Sequence, residues 1–140
     1  TERHGYDPTY RYISESPYAA LSAVMTTQEL ITMQEWVKGV HIGQEVREYL
    51  LHIVEATRKN AKLKLGVSTR GTLAFMRACQ SLAAIRGRNY VIPEDIKYLA
   101  PFVLEHRLVL AGGYLRTAEQ KSIMDSILSS VEVPTENFVS

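Results

Sequence analysis

Apolar residues recur at intervals of three and four from residue 26 to residue 131, and at no regular interval before that. Thr26 and Glu29 form a capping box that leads into Leu30, Met33 and Val37, and Gly39 ends that helical segment. Over residues 44–59, Val46, Tyr49, Leu50, Ile53 and Thr57 fall on one face while Glu45, Arg47, Glu48 and Glu55 lie off it, which predicts an amphipathic helix. Ser68 is placed to cap a third helix, whose Phe75, Ala78, Cys79, Leu82, Ala83 and Ile85 make a broad apolar face before Gly87 stops it.

Pro93 suits the first position of a fourth helix, and Glu94 and Asp95 complement the positive end of its dipole. Pro101 lacks an N–H and disfavours helical geometry at Ala100, so this helix is expected to break there, with a short turn over 102–104 and a link over 108–113. Thr117 with Gln120 reads as a second capping box, opening a last helix that runs through Ile123, Ile127, Leu128 and Val131 until Pro134. No segment reads as a strand. The pattern therefore predicts an all-α fold, a compact bundle of about five helices over residues 26–133. An irregular arm over 1–25, carrying Tyr6, Tyr10, Tyr12 and Tyr18, precedes it, and a tail over 134–140 follows.

A chain of 140 residues, 46% hydrophobic, suffices for one core and hardly for two. Lys and Arg total 16 against 15 acids, so there is no global field to attract nucleic acid or an anionic membrane. No apolar run approaches the roughly 20 residues that cross a bilayer, and the first residues do not resemble a signal peptide. One cysteine, Cys79, excludes an internal disulfide and fits a reducing, cytoplasmic setting.

Gly66 and Gly71 have the separation of the glycines in a phosphate loop, but Thr72 and Leu73 stand where Lys and Ser or Thr are needed. The segment instead offers a helix N-terminus with free N–H groups and, at Arg70, a guanidinium where the dipole disfavours a cation. An anionic oxygen in front of that turn would satisfy both, whereas a solvated surface arginine is the plain alternative. Arg70, Ala74, Arg77, Ser81, Ala84 and Arg88 follow at spacings of three and four, an arginine stripe separated by small residues. His41, His52 and His106 form no HExxH arrangement, and no metal is expected. Cys79 sits among apolar residues where a thiol is not activated. Trp36 and the tyrosines lack the basic groove that base stacking requires, and read as core or interface aromatics.

Three linked blocks resemble the lid of MoxR-family AAA+ ATPases: Leu65-Gly66-Val67-Ser68-Thr69-Arg70-Gly71; then Ala83-Ala84-Ile85-Arg86-Gly87-Arg88-Asn89-Tyr90-Val91-Ile92-Pro93-Glu94-Asp95-Ile96; then Leu99-Ala100-Pro101, Val103-Leu104 and His106-Arg107-Leu108. The resemblance extends upstream through Thr26-Thr27-Gln28-Glu29-Leu30, Val40-His41-Ile42 and Ile53-Val54-Glu55-Ala56-Thr57-Arg58, and so covers residues 24–132. It departs at Thr69, where the family often has proline, and at Ile92, which cannot cap by its side chain where the family has Thr or Ser.

The resemblance implies a fold of the AAA+ lid type, following a nucleotide-binding core from which residues 1–25 would be the arm or linker. It implies that Arg70 is the sensor 2 residue contacting the ATP γ-phosphate, with Ser68 capping the helix beside it. ATP and Mg2+ would be bound by the longer protein and neither by this piece alone. The chain has no complete Walker A loop and no Walker B strand, so no ATPase activity of its own is expected. The implied partners are the ATPase core of the same chain, neighbouring subunits of a hexameric ring, and a client protein that is remodelled or matured in a chaperone-like way. A helical interaction module that docks an acidic partner through the arginine stripe, with no nucleotide role, is the competing reading. The Pro93-Glu94-Asp95-Ile96 start is also similar to histone-fold helices, but the near-zero net charge argues against a DNA scaffold. An ATPase core predicts a phosphate loop about 200 residues before Arg70, and the competing readings predict none.

Overall fold

A computed structural model describes residues 17–112 and 117–135. Tyr6, Tyr10 and Tyr12 lie outside the described residues, as does most of the C-terminal tail. The chain divides into two units, Thr1–Thr32 and Met33–Ser140. In the first, a 3-10 turn spans Pro17–Ala20. Helix α1, Thr27–Lys38, begins there and crosses the division. Its start is the predicted capping box: Glu29 Oε2 accepts the Thr26 N–H at 2.6 Å, and Thr26 Oγ1 accepts the Glu29 N–H at 3.1 Å. None of its residues is buried, and Trp36 stands exposed rather than in a core.

The second unit carries α2 (Gln44–Lys59), β1 (Leu63–Leu65), α3 (Thr69–Ile85), α4 (Pro93–Leu104), a 3-10 turn at Glu105–Arg107, β2 (Val109–Leu110) and α5 (Thr117–Ser130). Its core is one apolar cluster, with Tyr49, Leu50 and Ile53 of α2, Phe75 and Cys79 of α3, Ile96 and Leu104 of α4, and Met124 of α5 at its centre. Helix α2 has the predicted bounds and face, since Val46, Tyr49, Leu50, Ile53, Val54 and Thr57 are its buried residues. The α3–α4 pair is joined through Gly87, whose φ of +75° is the left-handed conformation that a side chain would resist. A parallel bridge between His41 and Tyr90 ties the entry to α2 to the entry to α4.

Several expectations are corrected. Two short antiparallel strands exist, with Leu63 opposite Leu110 and Leu65 opposite Val109, so β2 falls within the span read as a link. Three residues and two are too few for an alternating pattern to register. Pro101 does not break α4, which continues to Leu104. Ala100 and Leu104 are both fully buried, and packing on either side of the proline outweighs the lost hydrogen bond and ring clash of an interior proline, about 3 kcal/mol together. Gln120 does not form a capping box with Thr117: its amide nitrogen donates to the Leu108 carbonyl at 2.8 Å, inside the core. Ile85, read as part of the apolar face of α3, is 82% exposed.

Candidate functional site

The N-terminus of α3 is built by the loop that precedes it. Ser68 holds an extended backbone, φ −73° and ψ 167°, and its hydroxyl accepts the Gly71 N–H at 3.1 Å, as a capping serine should. The Ser68 carbonyl accepts both the Thr72 N–H and the Thr72 hydroxyl at 2.9 Å. The N–H groups of Thr69 and Arg70 have no protein acceptor among the described residues, as expected of a first helical turn. No acidic residue occupies that turn. Arg70 is exposed in it, so the positive end of the dipole and the guanidinium add rather than cancel.

The two glycines of the phosphate-loop decoy have packing explanations. A Cβ on Gly66 would stand 2.6 Å from the Arg58 nitrogen and from the Thr57 carbonyl carbon, so the loop can press against the end of α2 only without a side chain there. A Cβ on Gly71 would meet Val67 Cγ1 at 2.9 Å and Arg107 Cδ at 3.3 Å.

Ser68, Arg70 and Arg77 are all exposed, but the arginine stripe does not continue to Arg88. Helix α3 ends at Ile85, and beyond Gly87 the Arg88 guanidinium turns to Asp95, Nη1 at 2.8 Å from Oδ2 and Nη2 at 2.6 Å from Oδ1. Arg86 adds a third contact to Asp95 at 3.2 Å. The hydrogen bond to Asp95, foremost, carries the Arg88 pKa above its ordinary value. The Asp95 carboxylate also accepts the Ile92 N–H at 3.0 Å, so the start of α4 is capped from inside by Asp95 rather than by the side chain of Ile92. Arg88 is therefore committed to the frame and is not available to a phosphate.

Burial, and secondarily the charge of Asp95, pushes the Cys79 thiol up to about 12, which removes it as a nucleophile near neutral pH. His41, His52 and His106 are exposed and separate, and among the described residues no three His, Cys, Asp or Glu side chains stand together as a metal site. No described helix is long and apolar enough to cross a membrane. A cleft of about 240 Å³ between α2 and residues 132–135 is lined by Glu45, Glu48, Glu132 and His52. Three carboxylates there repel a phosphate, unlike the first turn of α3, which carries no acidic residue.

Two residues with a part in this geometry, Thr57 and Arg58, are not singled out for it by the sequence. Thr57 Oγ1 accepts the Val67 N–H at 3.0 Å, and Arg58 Nε donates to the Val67 carbonyl at 2.8 Å. Thr57 reads simply as one more position on the apolar face of α2. The only hint is a hydroxyl on a face that is otherwise aliphatic or aromatic.

Comparison with known proteins agrees with this architecture. A family model described as the AAA lid domain matches residues 55–130. The chain is 38% identical over 121 residues to the uncharacterized protein YeaC of Bacillus subtilis, covering 86% of this chain and 38% of that protein. It is 34% identical over 128 residues to the chaperone MoxR1 of Mycobacterium tuberculosis, covering 83% of this chain and 33% of that one. A crystal structure of a candidate ATPase from Cytophaga hutchinsonii superposes with a TM-score of 0.73 at 26% identity, over 89% of this chain and 41% of its own. The chain thus spans about a third of the length of the relatives it matches. With more than half of its residues inside the family model and MoxR proteins among its relatives, the chain belongs to the AAA lid domain family and is a lid of the MoxR type.

Proposed function

We propose that this lid senses the ATP γ-phosphate through Arg70 and couples ATP binding and hydrolysis, in a longer AAA+ ATPase, to chaperone-like remodelling or maturation of client proteins. The observation that carries the reading is the first turn of α3: two N–H groups without acceptors among the described residues, no carboxylate, and an exposed guanidinium in one place. That donor set fits an anionic oxygen and offers nothing to a magnesium ion, so Mg2+ belongs with residues of the ATPase core. The remodelling role follows the name of the MoxR1 relative, a chaperone.

Bound ATP supplies the phosphoryl group that is transferred to water. Arg70 donates to the terminal phosphate from the lid side, while Ser68 keeps the Gly71 N–H satisfied and the turn open toward the anion. As long as Arg70 holds that contact the lid is fixed against the core, and release of the contact frees it to move. In this reading the chain works in the cytoplasm, against the core of its own polypeptide and neighbouring subunits of a hexameric ring.

The test is Arg70→Ala in the full-length protein. ATP turnover should fall by about tenfold or more, the share of one charge-assisted hydrogen bond, with the helical content of the lid unchanged. Parental turnover and parental nucleotide response would exclude the sensor role.

A further inference from the structure

The loop that carries Ser68 and Arg70 is gripped at a single residue, Val67, by consecutive residues of α2. Val67 is buried, and both of its backbone polar groups are taken: the N–H by the Thr57 hydroxyl at 3.0 Å and the C=O by Arg58 Nε at 2.8 Å. The Thr57 hydroxyl donates its own hydrogen to the Val54 carbonyl at 2.6 Å, which fixes its rotation and presents a lone pair to Val67. Gly66 lets the loop lie directly on the backbone of these same two residues. The next residue is Ser68, whose hydroxyl bond to Gly71 starts the turn that holds Arg70.

We infer that Thr57 and Arg58 are positioning residues for Arg70, so that the last turn of α2 sets where the guanidinium meets its phosphate. The inference rests on the sensor reading above. Position 57 is fully buried among Leu50, Ile53 and Val54, where an aliphatic residue would pack as well. What threonine adds is the hydroxyl, and its only partner outside α2 among the described residues is Val67. Arg58 is exposed and could remain solvated, yet it reaches nine residues along the chain to the same residue, Val67. Catalytic contacts are sensitive to displacements of about 1 Å, and this double grip removes the freedom of the loop to slide or rotate by that amount. A shift of α2 is then passed to Arg70 through Val67 and Ser68.

The experiment measures the ratio of affinities for a non-hydrolysable ATP analogue and for ADP, by calorimetry on the full-length protein, in Thr57→Val, Thr57→Ser, Arg58→Ala, Arg70→Ala and the doubles with Arg70→Ala. Thr57→Val and Arg58→Ala should each lower the preference for the triphosphate by about threefold or more, Thr57→Ser should restore it, and neither change should lower it further once Arg70 is alanine. If Arg70→Ala leaves the preference intact, the sensor reading fails. If Arg70→Ala lowers it and the other two do not, or if their effects persist undiminished in the Arg70→Ala background, the positioning inference fails while the sensor reading stands. Arg58 is exposed, so Arg58→Ala decides the matter even where Thr57→Val unfolds the lid.

Discussion

Arg88 clamps Asp95 with both terminal nitrogens, at 2.8 and 2.6 Å, around a carboxylate with no solvent exposure. The pair joins the turn after α3 to the first turn of α4, and Arg88 Nη1 also reaches the Tyr90 carbonyl at 2.9 Å. Arg86, the more exposed partner, makes one longer contact. Removing Arg88 leaves a buried charge half compensated, so Arg88→Ala should cost about 3 kcal/mol and Arg86→Ala about 1 kcal/mol or less in urea unfolding. Equal costs would mean that Arg86 holds the carboxylate as well as Arg88 does. The raised pKa of Arg88 makes its contribution fully present below the unfolded value and lost only in strong alkali, so the difference should persist across neutral pH.

Tyr49 is 2% exposed, and its hydroxyl has no hydrogen-bond partner among the described residues. Burial first, and the charge of Glu94 second, raises its pKa. An unpaired buried hydroxyl is a net cost, so Tyr49→Phe should leave the lid as stable or raise its stability by about 1 kcal/mol. A loss of stability on thermal unfolding would show that the hydroxyl is satisfied in solution.

Gly66 and Gly87 are glycine for different reasons, and alanine should separate them. At Gly66 the added Cβ meets backbone at 2.6 Å and the end of α2 has to move, at a cost of about 3 kcal/mol. At Gly87 nothing lies within 4 Å and the cost is only that of a left-handed residue, about 1–2 kcal/mol. In the full-length protein Gly66→Ala should also lower the triphosphate preference, through Val67, while Gly87→Ala should not. The opposite order in either measurement would refute this division.

Cys79 should resist alkylation by iodoacetamide at pH 8 in the folded lid and react on unfolding. Its folded pKa, about 12, lies above the ordinary 9.0, so the folded state keeps a proton that the unfolded chain releases. Stability should therefore fall as pH rises from about 9 toward 12, and Cys79→Ala should flatten that part of the profile. Rapid labelling of the folded protein would contradict the burial of the thiol.

The fold was most legible where two signals coincide. Helix α2 has its predicted bounds because an amphipathic period and clear breaks at both ends agree, and α3 begins at Ser68 because the cap and the apolar period meet there. Pro101 misled because a local rule about backbone geometry competes with tertiary burial of Ala100 and Leu104, which the sequence does not rank. The ribbon of β1 and β2 has no local signature at its length. In the candidate site, the Ser68 cap and the exposed Arg70 in the turn behind it are legible from the physics of helix ends. Thr57 and Arg58 are not, since their meeting with Val67 depends on how the intervening loop folds back. Arg88 was assigned to the stripe by counting residues past a helix end that Gly87 already marked.

The β1–β2 ribbon also has a consequence for biosynthesis. Leu63 pairs with Leu110, and Ala111 donates to the Lys62 carbonyl, so the first strand has no mate until all of α3 and α4 has been translated. The α3–α4 pair, close in sequence and packed together, can assemble while the chain is still emerging. The grip of Thr57 and Arg58 on Val67 is local as well, so a nascent lid can seat the loop under Arg70 before β1 finds its partner.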